Sequence, residues 1–190
     1  EVFNVFEKEI GNSNNAQFIK KLFKSAYLQH ENLADATRYL ANILFGEYGL
    51  VILDADEAPL KKEFAPFVKE ELLHQTSYKQ VIATVEKLKP YDIQVNPREI
   101  NLFYIEDKLR ERIIFENGAY KINNTTLEFS EVEILALLEK NPEKFSPNVL
   151  LRPLYQEVIL PNLCYIGGGG ELAYWLELKS FFDAVAVPFP

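Results

Sequence analysis

The sequence contains little cysteine and no long hydrophobic run, and both absences narrow the class of protein. Its 190 residues include one cysteine, Cys164, so the chain cannot form an internal disulfide. A single cysteine suits the reducing cytoplasm. No apolar run approaches the roughly 18 residues that a membrane-spanning helix requires. We therefore expect a chain without a membrane-embedded segment.

Histidine and positive charge are also scarce. The two histidines, His30 and His74, lie far apart and neither belongs to an H-x-x-H pattern, so the sequence predicts no metal site. The formal net charge is −8. This charge argues against general nucleic-acid binding, which requires a basic face that displaces counterions. A nucleotide stays open as a ligand, because a few local cations and backbone N–H groups suffice for one phosphate chain.

Helical and strand-like patterns alternate in the first third of the chain. Residues 15–29, 33–45 and 58–74 carry apolar side chains at helical spacing. Leu50 to Leu53 form a short continuous apolar run, which is typical of a fully buried strand in a parallel sheet. Helix, strand and helix in succession predict the α/β class.

The pattern changes after Gln75. One more helix, ended by Pro90, is followed by residues 91–124, in which short runs alternate apolar and polar side chains. Asn117-Gly118 lies between two such runs and predicts a type I′ hairpin. We therefore expect an antiparallel β-meander inserted in the α/β body. Ser130 and Glu133 then have the spacing of a capping box at a helix start.

The last part of the chain returns to the α/β pattern. A helix that begins near Arg152 precedes three further predicted elements: a buried strand at 163–166, a helix at 171–182 and the start of a third strand at 184–190. The predicted organisation is an α/β body formed by residues 1–75 and 146–190, with residues 76–145 as the inserted region. Because the chain begins with Glu and ends within an apolar run, we expect it to be an internal piece of a longer protein.

Four consecutive glycines, Gly167, Gly168, Gly169 and Gly170, stand between a predicted strand and a predicted helix. Backbone N–H groups at a helix N-terminus form a ready anion site. The run lacks the Lys-Ser/Thr of a phosphate loop, and Leu172 stands where a G-x-G-x-x-G motif requires a small residue. Glu171 would repel a phosphate but would accept hydroxyls or an ammonium group. A plain strand-to-helix turn is the alternative.

Two further groups of polar residues are candidates for ligand binding. Arg152 and Gln156 lie four residues apart and share a helix face, where Arg152 could clamp a carboxylate or phosphate; an ion pair with a neighbouring acid is the alternative. Asp54 and Asp56 follow the first predicted strand, at the edge where open parallel sheets bind ligands. They could hold a ribose or an amine, or one of them could cap the next helix.

Three stretches resemble one known family, and they occur in the family's order. The long stretch "SPNVLLRPLYQEVILPNLCYIGGGGELAYWLELK" (146–179) is the specific one, and "LVILDADE" (50–57) and "VNPREINLFYIEDKLRERIIF" (95–115) accompany it. They resemble the cysteine-adding enzymes of bacillithiol biosynthesis, the cysteine ligases. Together the stretches extend over most of the chain after residue 45.

The resemblance implies a Rossmann-like core related to nucleotidyltransferases, a connecting region, and a C-terminal coiled coil that makes the full-length protein a homodimer. It implies a cytoplasmic bacterial ligase that joins cysteine to glucosaminyl-malate in the final step of bacillithiol assembly, with ATP or another nucleotide as the candidate cofactor. The family's upstream histidine motif and its coiled coil are missing here, so we expect this piece to be inactive alone. The residues expected to line the substrate crevice are Arg152, Gln156, Gly167, Gly168, Gly169, Gly170, Glu171 and Tyr174.

Two other functions remain open from the sequence. One is a non-catalytic α/β module that binds a nucleotide or metabolite, and the other is a nucleotidyltransferase-like enzyme on the same core. Neither the residue pattern nor the resemblance assigns a catalytic residue.

Overall fold

The structure is a computed structural model that describes residues 2–88 and 91–190. The chain divides into two compact units, residues 1–55 and residues 56–190. Pro90, predicted to end a helix, lies outside the described residues. Within the described residues, no helix combines the length and the hydrophobicity needed to cross a membrane.

Among the described residues, the first unit contains three α-helices, α1 (Val2–Glu9), α2 (Asn14–Gln29) and α3 (Leu33–Phe45), and a short 3₁₀ helix (Gly46–Tyr48). The Ser13 hydroxyl accepts a hydrogen bond from the Ala16 amide at the start of α2, and the Asn32 side chain accepts one from the Asp35 amide at the start of α3. These caps satisfy N–H groups that have no partner within a helix. The two helices predicted for this region are confirmed.

The strand predicted at Leu50 to Leu53 is wrong. These residues have no strand structure, and Leu50, Val51 and Leu53 are 47%, 62% and 42% exposed. A strand exists only where its backbone N–H and C=O groups pair with a neighbour. None of the described strands pairs with this segment, so the apolar run forms no strand and three of its four residues stay exposed.

In the part of the second unit that the structure describes, six α-helices and a short 3₁₀ helix (Pro142–Lys144) surround an antiparallel sheet. The helices are α4 (Ala58–His74), α5 (Thr76–Lys87), α6 (Glu131–Lys140), α7 (Arg152–Ile159), α8 (Gly169–Leu176) and α9 (Lys179–Ala184). The strands are β1 (Leu102–Glu106), β2 (Leu109–Glu116), β3 (Ala119–Ile122), β4 (Glu128–Phe129) and β5 (Phe145–Pro147). Their order across the sheet is β4-β3-β2-β1-β5. The α/β class and the antiparallel meander are confirmed. All pairs among the described strands are antiparallel, so the parallel sheet predicted for the α/β body is not found there.

The β2–β3 hairpin forms at the predicted position. Glu116 pairs with Ala119, so Asn117 and Gly118 are the two turn residues, with φ of 55° and 81°. Positive φ at both positions is the geometry of a type I′ turn, whose twist matches that of the two strands. The Asn-Gly pair therefore fixes the register that directs Ile113, Tyr120 and Ile122 into the core.

One hydrophobic core holds the helices of the second unit on the sheet. It includes Phe64 and Leu72 from α4, Tyr104 and Ile113 from the sheet, and Leu154 from α7, all at most 3% exposed. The core side chains of α4 and α7 fix the orientation of both helices. The opposite face of α7, which carries Arg152 and Gln156, is thereby directed away from the core.

The second predicted strand, at 163–166, is also wrong. Residues 163–166 form no strand, and Leu163 and Ile166 are 104% and 92% exposed. The third predicted strand fails too, since residues 187–190 have no regular structure. The physical reason is the same as for Leu50 to Leu53, because no described neighbour pairs with these backbones. The helix predicted at 171–182 forms as two pieces, α8 and α9.

The capping box at the start of α6 is confirmed. The Glu133 amide donates to the Ser130 hydroxyl at 3.3 Å, and the Ser130 amide donates to the Glu133 carboxylate at 2.8 Å. The Ser130 hydroxyl also donates to that carboxylate, and these bonds hold the pKa of Glu133 below its usual value. Two N–H groups that the helix itself leaves without partners are satisfied in this way.

Replacing Ser130 by alanine is expected to accelerate hydrogen exchange at the first turn of α6 about fivefold, because the Glu133 amide loses its acceptor. Exchange measured by mass spectrometry on the full-length protein checks this. Ser13→Ala, which removes the cap of α2, serves as the matched control and should leave α6 unchanged. Equal exchange of α6 in wild type and Ser130→Ala would contradict a stabilising role for the box.

Candidate functional site

The site predicted around Arg152 is assembled at the start of α7. The Asn148 side chain accepts hydrogen bonds from the amides of Leu150 and Leu151, which fixes the turn into the helix. Pro153 occupies the first turn, where its missing N–H costs nothing. Leu151 and Leu154 are fully buried. The burial of these leucines leaves Arg152 on the outer face of the helix.

The Arg152 guanidinium lies at the centre of a polar network. It donates to Gln156 Oε1 at 3.2 Å, to Glu171 Oε1 at 3.3 Å and to the Tyr174 hydroxyl at 2.5 Å. The Tyr174 hydroxyl in turn donates to Glu171 Oε1 at 3.4 Å. Four residues that the sequence predicted as substrate-binding are thus brought together, from α7 and α8. We call Arg152, Gln156, Glu171 and Tyr174, together with Tyr165, the Arg152 network.

Tyr165 is the member of the network that sequence reasoning missed. Its hydroxyl lies close enough to Glu171 and Arg152 for both to shift its pKa, and its ring stacks on Trp175 with the centroids 4.1 Å apart. Trp175 is 3% exposed, so the stack fixes Tyr165 against the core. Its place in a predicted strand concealed this role. The available signal was an aromatic residue just before the glycine run.

The network shifts the acidity of two of its groups. Burial raises the pKa of the Tyr165 phenol, and the neighbouring Glu171 carboxylate raises it further. Burial acts to lower the pKa of Arg152, but hydrogen bonds and charge from Tyr174 and Tyr165 outweigh that effect and raise it. Near neutral pH, Tyr165 is therefore a neutral hydroxyl and Arg152 a fixed cation.

The glycine run lies against this network at one position. A Cβ atom at Gly167 would lie 3.0 Å from Tyr165 Cε1 and 3.4 Å from Glu171 Oε2. Because glycine has no Cβ, the backbone at this position can pass close to both side chains. Around Gly168, Gly169 and Gly170 the space is open within 4 Å. Gly168 precedes the first residue of α8, and its carbonyl accepts from the Leu172 amide. The run therefore leads into α8 with open space around its last three glycines.

The segment between α7 and the glycine run is fixed by a buried carboxylate. Glu157 is 4% exposed and accepts hydrogen bonds from the Asn162 amide at 2.9 Å and from its side-chain nitrogen at 2.7 Å. Gln156 also donates to Glu157. Glu157 thus positions both Gln156 and the turn that returns the chain towards Glu171.

The aspartates are not part of the Arg152 network. Asp54 belongs to the first unit and Asp56 to the second. Asp56 forms an ion pair of 3.0 Å with Lys61, a lysine only 2% exposed, which also donates to the carbonyl of Phe145. Their predicted role in binding a ribose or an amine stays a prediction. Among the described residues, no three His, Cys, Asp or Glu side chains are grouped as metal ligands would be.

The Arg152 network presents a cation and an anion side by side at the surface. The side chains of Arg152 and Glu171 are 43% and 37% exposed, so a ligand can reach both. A ligand carboxylate or phosphate matches the guanidinium, and a ligand ammonium or hydroxyl matches Glu171. The arrangement favours a small molecule that carries both kinds of group.

Comparison with known proteins identifies one family over the whole chain. The model of the family described as bacillithiol biosynthesis BshC, N-terminal Rossmann-like domain, matches residues 1–190. Proteins named as BshC cysteine ligases are 70% identical in Flavobacterium psychrophilum over 99% of this chain and 67% identical in Flavobacterium johnsoniae over its full length. A relative with the same name in Staphylococcus haemolyticus is 28% identical over 98% of the chain. The chain spans 35–36% of the length of these three relatives.

Proposed function

The chain belongs to the bacillithiol biosynthesis BshC family, in its N-terminal Rossmann-like domain, and we propose that it forms part of the substrate-binding wall of a cysteine ligase. The proposed reaction of the full-length protein joins cysteine to glucosaminyl-malate, as the final step of bacillithiol assembly. The names of the relatives support the ligase class. The residues proposed to bind substrate are those of the Arg152 network and the adjoining glycine run.

The observation that carries the proposal is the exposed pairing of Arg152 with Glu171, at 3.3 Å between Nη2 and Oε1. An ion pair in contact with water is worth little, so a ligand that offers better partners can separate the two side chains at small cost. An α-amino acid carries an ammonium and a carboxylate on one carbon atom. Cysteine can therefore place its carboxylate on Arg152 and its ammonium on Glu171.

The other members of the network hold this pair in position. Tyr174 and Gln156 bond to the guanidinium from two sides, so its plane stays oriented when Glu171 turns towards a ligand. Tyr165 supplies a neutral hydroxyl at the same place. These residues bind and orient the substrate. A nucleotide such as ATP is the proposed source of activation in the full-length protein.

Replacing Glu171 by glutamine in the full-length protein is expected to raise KM for cysteine about tenfold, because the ammonium loses a charge-assisted partner. KM for glucosaminyl-malate should stay within twofold of wild type. Steady-state assays in which each substrate is varied in turn measure both. Glu128→Gln, an exposed glutamate on β4, is the matched control.

Three results would contradict this assignment. An unchanged KM for cysteine would remove Glu171 from the cysteine site, and a rise confined to glucosaminyl-malate would assign the network to the other substrate. Calorimetry that detects binding of either molecule by a full-length protein without turnover would favour the alternative of a non-catalytic metabolite-binding module.

A further inference from the structure

An apolar groove lies between α4 and α6, and none of its lining residues belongs to the Arg152 network. It has a volume of about 750 Å³, and Lys62, Ala65, Lys69, Leu135, Ala136 and Glu139 are among the residues that line it. We call it the α4–α6 groove. Val132, at one end, is 78% exposed. An uncovered apolar surface of this kind typically marks an interaction site.

The charges at the rim of the groove are arranged asymmetrically. Lys62 and Lys69 lie seven residues apart on α4, two helical turns or about 10 Å along one face. Within the described residues neither lysine has an ion-pair or hydrogen-bond partner. Glu139 is on the opposite wall. In a chain of net charge −8, one wall thus presents two unpaired cations and the other wall an anion.

The chemistry of the groove fits a helix better than a small molecule. Small-molecule sites combine an apolar lining with a few fixed polar groups that converge on the ligand. Here the floor is aliphatic, and the charged groups are long, exposed side chains at the rim. Two neighbouring helices form a groove into which the side-chain ridges of a third helix pack.

We propose that the α4–α6 groove receives an amphipathic helix from the part of the full-length polypeptide outside residues 1–190. The relatives are almost three times as long as this chain, so most of the polypeptide lies outside it. The helix places an apolar stripe on the floor and acidic side chains, seven residues apart, opposite Lys62 and Lys69. Its other flank carries a basic residue opposite Glu139.

Photo-crosslinking in the full-length protein tests this assignment. The photoreactive residue p-benzoylphenylalanine replaces Val132, at the exposed end of the groove, and mass spectrometry identifies the captured peptide. We expect a crosslink within the same chain, to a segment outside residues 1–190 that has acidic residues at the stated spacing. Mixing isotopically light and heavy protein separates this product from capture of a second copy.

Charge reversal provides the second arm of the experiment. The double variant Lys62→Glu/Lys69→Glu should lower the yield of the crosslink at least fivefold, and exchanging the captured acidic residues for lysine should restore it. The matched control is Lys79→Glu/Lys87→Glu on α5, which should leave the yield unchanged. Capture of a second copy, capture of a segment without acidic residues, no capture at all, or a yield insensitive to the Lys62 and Lys69 charges would overturn the proposal.

Discussion

Replacing Arg152 by alanine in the full-length protein is expected to lower kcat/KM for cysteine addition about 100-fold, or roughly 2.7 kcal/mol of transition-state stabilisation. Arg152 donates hydrogen bonds to Gln156, Glu171 and Tyr174 at once. Its removal deletes the proposed partner of the substrate carboxylate and leaves the Glu171 charge without its partner. Truncating one member of a hydrogen-bonded charge pair costs about 2–5 kcal/mol when the pair is desolvated, and a half-exposed pair belongs at the lower end.

Two further variants separate binding by Arg152 from general damage to the protein. Arg152→Lys keeps the charge but lacks the planar fork, so it cannot reach three partners together, and a loss of about tenfold is expected. Arg110→Ala is the matched control, because this arginine lies on β2 with its guanidinium 3.7 Å from the centre of the Phe103 ring. Full activity of Arg152→Ala, with an unchanged circular dichroism spectrum, would exclude Arg152 from the site.

The local elements of this fold could be predicted because their causes are local. Ser130 and Glu133 are three residues apart, and their mutual hydrogen bonds follow from that spacing alone. Asn117 and Gly118 adopt the positive φ that a two-residue hairpin turn requires. In each case a few consecutive residues contain both partners of the interaction.

The two main failed strand predictions have a non-local cause. The runs at Leu50 to Leu53 and at 163–166 are apolar enough for a buried strand, but burial requires a partner that the run itself does not specify. In this structure neither run forms a strand, and most of their residues are exposed. The same limit applies to β5, a short strand that no pattern predicted and that exists through its pairing with β1.

The Arg152 network was predicted only in part, because some of its contacts are local in the sequence and others are not. The spacing of Arg152 and Gln156 defines one helix face, so their proximity follows from the sequence. Glu171 is 19 residues further along the chain, and its contact with Arg152 depends on the turn that Glu157 and Asn162 stabilise. Sequence patterns do not predict a buried carboxylate that accepts hydrogen bonds from backbone N–H groups. Tyr165, which belongs to the same network, was missed along with that turn.

A second buried carboxylate, Glu71, also escaped prediction. It is 1% exposed and accepts hydrogen bonds from the Ser77 amide at 3.1 Å and the Ser77 hydroxyl at 2.7 Å. Asn101 donates to it from its amide at 2.9 Å and from its side chain at 3.2 Å. Glu71 therefore joins the end of α4, the start of α5 and the segment that enters β1. Because Asn148 bonds to Asn101 at 2.9 Å, the same network extends to the turn that begins α7.

Replacing Glu71 by alanine is expected to lower the free energy of unfolding of the second unit by about 3 kcal/mol, because the amides of Ser77 and Asn101 lose their acceptor while buried. In the full-length protein, thermal unfolding should begin at a lower temperature, and hydrogen exchange should accelerate in peptides that contain Ser77 or Asn101. The exposed neighbour Glu63 on α4 provides the matched control, as Glu63→Ala. Unchanged exchange at Ser77 and Asn101 would exclude the proposed role of Glu71.

The pH dependence of stability gives an independent measure of the same group. Burial raises the pKa of Glu71 above its usual value of 4.5, although the hydrogen bonds from Ser77 and Asn101 act in the opposite direction. The folded state therefore binds this proton more tightly than the unfolded chain does. The resulting stabilisation is complete below the unfolded pKa and is lost as the pH rises through the folded pKa.

Glu71→Gln cannot titrate, so its stability relative to wild type should improve as the pH rises above about 4.5. Unfolding curves of both proteins across that range measure the difference, and a constant difference would mean that burial does not perturb Glu71.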